Sequence, residues 1–103
     1  MRIEFKTESL KYLYITPLDK IKGKQPFSKD IIKQFKKKAQ ILTAITRVEE
    51  LKEFRGLNFE YLKGDRKGEC SIRLNEQYRL LFEQKSDKTI SVLLINEISK
   101  HYE

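Results

Sequence analysis

Two arginines, Arg73 and Arg79, are the side chains best placed for chemistry in this sequence. They lie in a stretch over residues 62–82 that reads LKGDRKGECSIRLNEQYRLLF. Apolar and polar residues alternate over 69–74 and again over 78–83, which is the pattern of half-buried strands. The alternation predicts a β-hairpin that carries both arginines.

The register of this hairpin follows from its apolar residues. If both apolar sets reach the same core, Leu74 lies opposite Tyr78 and a loop spans residues 75–77. Arg73 then lies directly opposite Arg79, on the face that points away from the core. Like charges in that position destabilise a sheet. Either the two side chains splay into solvent, or they converge on an anion, for which arginine is well suited.

The same stretch carries a resemblance to a known family. LKGDRKG followed by SIRLNEQYRLLF resembles the core signature of the HigB toxins, the "plasmid maintenance killer" branch of the RelE/ParE superfamily of type II toxin–antitoxin systems. Tyr78 stands where the family usually has Trp. The resemblance is strongest over residues 57–84, extends over the last strand and the tail, and before residue 57 rests mainly on the order of elements.

The resemblance implies an activity and a set of catalytic residues. The activity is ribosome-dependent cleavage of mRNA, in which the RNA 2′-OH attacks the adjacent phosphate without a metal or another cofactor. Lys63, Arg73 and Arg79 would supply positive charge to the transition state. His101 would be the general acid or base, although a histidine this close to the C-terminus is often only an exposed chain end. Tyr102 would orient or stack a base. Some members have a histidine where this chain has Glu60.

Three further residues are predicted to bind RNA. Arg66 and Lys67 belong to the glycine-bracketed, cationic turn that precedes the hairpin. Tyr61, just before this turn, is a candidate for stacking on an unpaired base, and it could equally pack against the edge of the sheet. The sequence therefore predicts a basic surface on the sheet face that carries Arg73 and Arg79.

Length and composition limit the possibilities. The chain has 103 residues, which predicts a single domain over 1–103, and a formal net charge of +7 with a pI near 9.5. Such a charge is typical of chains that meet nucleic acid or an acidic protein. The sequence has neither a membrane-length apolar run nor a signal-peptide pattern, so we expect a cytoplasmic protein without a membrane partner. One histidine and one cysteine cannot build an ordinary zinc site.

The elements predicted along the chain run β-α-α-β-β-β-β. Strands are predicted over 2–6, 57–62, 69–74, 78–83 and 90–98, and Thr7 or Ser9 is predicted to cap a first helix that runs to about Tyr14. The second helix has Ser28 as its N-cap and an apolar stripe, whose members are Ile31, Ile32, Phe35, Ala39, Leu42 and Ile45. This order predicts an α+β fold, with two N-terminal helices packed on one face of a small, mostly antiparallel sheet.

The second helix also carries a run of lysines at 33, 36, 37 and 38. Such a run is either a solvated face or a surface that follows a nucleic-acid backbone or docks a partner. The sequence leaves both interpretations open.

The family resemblance implies a partner, and two other functions remain possible. The partner would be a small helix-turn-helix antitoxin, and operator DNA would be bound only through the complex with it. One alternative function is inhibition of DNA gyrase, as in the ParE branch on the same fold. The other is a plain basic module that binds RNA or DNA. Fold alone does not separate these functions.

Overall fold

The computed structural model describes residues 1–87 and 90–100, which form a five-stranded sheet with helices on one face. The elements are β1 (Arg2–Phe5), α1 (Glu8–Ile15), α2 (Lys29–Ala44), β2 (Glu60–Tyr61), β3 (Glu69–Arg73), β4 (Tyr78–Asp87) and β5 (Ile90–Lys100). Short 3₁₀ turns lie at Leu18–Lys20, Val48–Glu53 and Gly64–Arg66. The predicted order of elements is confirmed.

The sheet has the strand order β1-β5-β4-β3-β2. β1 runs parallel to β5, and every other neighbouring pair is antiparallel. The prediction of an α+β fold with a mostly antiparallel sheet is therefore confirmed. No helix among the described residues is long and apolar enough to cross a membrane.

Both helices begin at the expected capping residues. The Thr7 hydroxyl accepts a hydrogen bond from the Leu10 amide, and the Ser28 hydroxyl accepts one from the Ile31 amide, each at 3.2 Å. All six apolar residues predicted for the second helix are buried. They pack in one cluster with buried residues of β3, β4 and β5, among them Ile72, Leu80 and Ile95.

The hairpin of β3 and β4 has the predicted register. Ile72 is paired with Leu80, and Arg73 with Arg79. The Leu74 amide donates to the Tyr78 carbonyl at 2.9 Å, which continues the pairing to the loop. The Asn75 side chain shapes this loop, because its Oδ1 atom accepts from the amides of residues 77 and 78 at 2.8 Å.

β2 is shorter than predicted, since the strand expected over 57–62 is regular only at Glu60–Tyr61. Asn58 has a φ of 46°, in the left-handed region, and this interrupts the extended backbone. Isolated hydrogen bonds still join this segment to β3 on both sides of the regular pair. The Arg73 amide donates to the Leu57 carbonyl, and the Leu62 amide donates to the Glu69 carbonyl.

Candidate functional site

A shallow groove lies on the sheet face that points away from α1 and α2, which we call the open face. Its volume is about 230 Å³. It is lined by Glu60, Leu62, Ser71, Arg79, Leu81, Ser99 and Lys100. We call it the Arg79 groove. Its residues lie on or directly beside β2, β3, β4 and β5, so they come from distant parts of the chain.

Arg79 is held in this groove by two oxygen atoms. Its Nη1 atom donates to the Asn58 carbonyl and to the Ser71 hydroxyl, both at 3.2 Å, and its Nη2 atom lies 3.4 Å from the same carbonyl. The left-handed Asn58 that interrupts β2 therefore supplies a contact to the arginine. A guanidinium has five N–H donors, so donors remain for an anion in the groove.

Arg73 lies opposite Arg79 in the ladder but does not line the groove. Its Nη2 atom is 4.0 Å from a carboxylate oxygen of the exposed Glu76. The two arginines share the open face, as predicted, but their side chains contact different groups. The structure does not bring them together around one anion.

Lys63 lies beside the groove, in the cationic turn of residues 63–67. It precedes the 3₁₀ turn Gly64–Arg66 and lines a second open cavity of about 530 Å³ together with Glu60, Tyr61 and Leu62. Residues 60 and 62 line both cavities. The turn therefore adds positive charge next to the Arg79 groove, and the exposed Lys67 ends it.

Arg66, by contrast, is engaged with carboxylates. Its Nε atom lies 2.9 Å from Glu69, and its Nη2 atom donates to Glu97. Partial desolvation acts to lower the pKa of Arg66, but the hydrogen bonds to Glu97 and Glu69 prevail and raise it. The guanidinium that was predicted to bind RNA is thus already paired in this structure.

The partners of Arg66 belong to an acidic cluster on the open face, formed by Glu69, Glu83 and Glu97. The Asn96 side-chain amide donates to Glu69 at 2.8 Å and to Glu83 at 3.4 Å. Asn96 is the extra residue of a β-bulge opposite the step from residue 81 to 82. The open face predicted to be basic therefore also carries acidic side chains, because β5 places Glu97 beside Glu69 of β3 and Glu83 of β4.

Tyr61 lies on the other side of the sheet from Arg79. It pairs with the buried Cys70, whose side chain points toward the helices. The Tyr61 ring stands edge-on to Phe59, with 4.9 Å between the ring centroids. Lys52 Nζ lies 5.4 Å from the centroid of the Tyr61 ring. Desolvation, followed by the nearby Glu49 carboxylate, raises the pKa of the Tyr61 hydroxyl. The structure does not bring Tyr61 to the Arg79 groove.

His101 and Tyr102 fall outside the residues that the structure describes. Lys100, which directly precedes His101 in the chain, is the last described residue and lines the groove. The predicted roles of the two residues stay predictions.

Comparison with known proteins assigns the chain to a family. The family model described as "RelE-like toxin of type II toxin–antitoxin system HigB" matches residues 3–96. The chain belongs to the HigB family of RelE-like type II toxins. It is also 36% identical over 83 residues to Toxin HigB-1 of Vibrio cholerae serotype O1, which covers 81% of this chain and 83% of the relative.

Two solved structures resemble this HigB-family chain in fold. The YoeB/ParE toxin from Agrobacterium tumefaciens has a TM-score of 0.58 and 15% identity, over 99% of this chain and all of that one. The YoeB–YefM complex from Staphylococcus aureus has a TM-score of 0.57 and 23% identity, over 99% of this chain and 98% of that one. At these identities the likeness shows the shared fold alone.

Sequence reasoning missed several residues of the site in this HigB-family chain. Asn58 and Ser71 hold Arg79, and Lys100 lines the groove beside it. Ser71 left a faint signal, because it is a polar residue on the same strand face as Arg73. Asn58 left no signal in the sequence, because it contacts Arg79 through its backbone carbonyl. Only the left-handed conformation of Asn58 brings this carbonyl to Arg79.

Proposed function

We propose that this HigB-family toxin is a ribosome-dependent mRNA endoribonuclease whose chemistry takes place in the Arg79 groove. The observation that supports this most is that one groove contains both a guanidinium and a carboxylate. Arg79, held by hydrogen bonds to Asn58 and Ser71, lines this groove together with Glu60. Cleavage of RNA through its 2′-OH needs both types of group. One stabilises the charge on the phosphate, and the other moves a proton.

In the proposed reaction a base removes the proton of the 2′-OH, and the oxygen attacks the adjacent phosphorus. The bond from phosphorus to the 5′ oxygen breaks, and that oxygen takes a proton from an acid. The products are a 2′,3′-cyclic phosphate and a free 5′-OH. Arg79, with Lys63 and Lys100 nearby, would stabilise the additional negative charge on the phosphate oxygens.

Two residues are candidates for proton transfer. His101 has the side chain whose ordinary pKa suits the task near neutral pH, and it follows Lys100 in the chain. Glu60 lines the groove itself. We assign general acid or base chemistry to His101 first, with Tyr102 orienting the base, and we treat Glu60 as the alternative for the same step.

The reaction is proposed to need no metal, since basic side chains supply the positive charge. Among the described residues, no three His, Cys, Asp or Glu side chains form a group that could hold a metal ion. As a test of this proposal, we expect chelation with EDTA to leave the chemical step unchanged, provided that the magnesium needed by the ribosomes is restored.

The test is single-turnover cleavage of mRNA on purified ribosomes at equal occupancy. We expect Arg79→Ala to slow cleavage by about a hundredfold or more, as for other preorganised donors. His101→Gln and Glu60→Gln should each be compared with wild type, and the larger loss identifies the proton-transfer group. Arg2→Gln, which removes a cation remote from the groove, is the matched control. Full activity in Arg79→Ala, or growth arrest without cleaved mRNA, would overturn the proposal.

The proposed partner is a small helix-turn-helix antitoxin. One structural neighbour is itself a toxin–antitoxin assembly, the YoeB–YefM complex. Pull-down from the native host should recover a small co-encoded protein, and the complex, but not the toxin alone, should bind operator DNA in preference to unrelated DNA. Recovery of the toxin without any such protein would contradict the pairing.

A further inference from the structure

Nearly all of the net positive charge lies away from the Arg79 groove. Residues 17–40 contain eight lysines and two aspartates, which is +6 of the chain's +7. The open face carries the acidic cluster and its paired Arg66 instead. The excess charge therefore belongs to α2 and to the loop before it, on the helix side of the sheet.

Two of the lysines on α2 have structural contacts. Lys36 Nζ donates to the Tyr14 carbonyl at 2.8 Å, near the end of α1, and also to the Thr16 carbonyl. Lys38 Nζ donates to Gln34 Oε1 at 3.1 Å. These two contacts account for their positions within the helix layer.

The other lysines of α2 form what we call the lysine row, which consists of Lys29, Lys33 and Lys37. No hydrogen bond among the described residues accounts for their positions. All three are exposed and lie four residues apart on α2. A rise of 1.5 Å per residue places successive members about 6 Å apart along the helix axis. Like charges at this spacing disfavour a helix. Among the described residues, no lysine between 17 and 40 forms a salt bridge that would offset this repulsion.

The surroundings of the lysine row favour a nucleic-acid backbone over a protein partner. Exposed Lys20, Lys22 and Lys24 in the preceding loop extend the positive surface. None of the large hydrophobic residues exposed on the described part of the chain lies between 17 and 40. The exposed Tyr12 of α1 contacts the loop through its hydroxyl, which accepts a hydrogen bond from the Lys22 amide at 2.9 Å. Cores of protein interfaces are rich in such residues and poor in lysine, whereas phosphate backbones are bound by lysine point charges.

We infer that the lysine row and the preceding loop form a second RNA surface, which holds a phosphate backbone while the Arg79 groove acts on the mRNA. The sheet separates the two surfaces, since α2 packs on one face and the groove opens on the other. On a ribosome the bound backbone would be ribosomal RNA. This role rests on the proposed function, but binding itself can be measured without cleavage.

The test removes the lysine row and measures RNA binding by the full chain. Lys29→Gln, Lys33→Gln and Lys37→Gln are combined, because glutamine keeps helix propensity. The control combines Arg2→Gln, Lys6→Gln and Lys85→Gln, which removes the same charge near β1. Affinity for a short fluorescein-labelled RNA duplex is followed by anisotropy over a series of KCl concentrations, and binding to purified ribosomes is measured in parallel.

We expect the triple glutamine variant to bind both the RNA duplex and the ribosome more weakly, on the order of tenfold. The slope of log affinity against log salt should fall by about three. A variant with arginine at all three positions should bind like wild type, which separates loss of charge from loss of fold. Cleavage per bound ribosome should stay unchanged.

The inference would be overturned if the triple glutamine variant bound RNA as tightly as wild type. It would also be overturned if the control variant lost as much RNA affinity as the triple glutamine variant. Loss of antitoxin binding with RNA binding intact would assign the surface to a protein and overturn it as well. A toxin that binds RNA through this row but cleaves none would contradict only the proposed nuclease activity.

Discussion

At the scale of the residue, the role of each cation depends on what already contacts it. Arg79 keeps donors free in its groove, Arg66 is paired with two carboxylates, and Arg73 only approaches the exposed Glu76. The sequence analysis expects all three to contact RNA, Arg73 and Arg79 in catalysis and Arg66 in binding. Their contacts assign them different expected effects on stability and on RNA cleavage.

Arg73→Ala should change the free energy of unfolding by less than about 0.5 kcal/mol, in either direction. Among the residues that the structure describes, its nearest charged partner is Glu76 at 4.0 Å, and its removal relieves a like-charge pair with Arg79. Urea denaturation of wild type and variant measures the difference. A loss well above 1 kcal/mol would mean that the Arg73 side chain makes contacts that this structure lacks.

Cys70 should make stability fall at alkaline pH. Burial, with the nearby Glu49 and Glu69 carboxylates adding to it, raises the pKa of the thiol from 9.0 to about 11. The unfolded chain therefore loses the thiol proton first, and stability decreases as pH rises from 9 to about 11. Urea denaturation at both ends of this window should show a smaller decrease for Cys70→Ala than for wild type. An equal decrease would assign the effect to other groups.

At the scale of the element, the cationic turn is joined to the sheet through one side chain. Arg66 lies in the 3₁₀ turn Gly64–Arg66, and its carboxylate partners lie on β3 and β5. Because β5 is far along the chain, this ion pair links the turn to an element that sequence patterns do not place beside it. The turn and the Arg79 groove are thereby held in one arrangement.

Glu97→Gln should loosen this link and make the open face more positive. We expect a loss of stability below about 1 kcal/mol, because the pair is partly exposed, together with tighter RNA binding. Glu4→Gln, which removes a similarly exposed carboxylate from β1, is the control. Weaker RNA binding in Glu97→Gln would show that Glu97 is needed to orient Arg66.

At the scale of the whole molecule, one apolar core holds two faces of different charge. Helices cover one side of the sheet and carry most of the excess lysine, while the open face mixes arginine with glutamate. The core therefore has to keep both surfaces in place at once, and its stability supports both proposed RNA contacts.

Leu80→Ala should destabilise the protein by about 2–5 kcal/mol, because the fully buried side chain would leave a cavity between sheet and helices. Ile15→Ala is the matched control, since that side chain is 63% exposed and its truncation should change stability by less than about 0.5 kcal/mol. Urea denaturation measures both. Similar losses in the two variants would mean that the core does not lie where the structure places it.

The sequence by itself determined the elements and the family. Alternation set the register of β3 and β4, the 3–4 spacing set the buried side of α2, and the cationic turn with its hairpin carried the HigB resemblance. These features depend on residues that are close in the chain, so short-range periodicity is enough to predict them.

Only the tertiary structure decided which charges meet. It places Glu97 beside Arg66, 31 residues away, Glu60 in the groove with Arg79, and Tyr61 on the opposite side of the sheet. Such contacts depend on which strands become neighbours and on single backbone angles such as that of Asn58. Because these are set by the packing of the whole chain, local sequence patterns do not contain them.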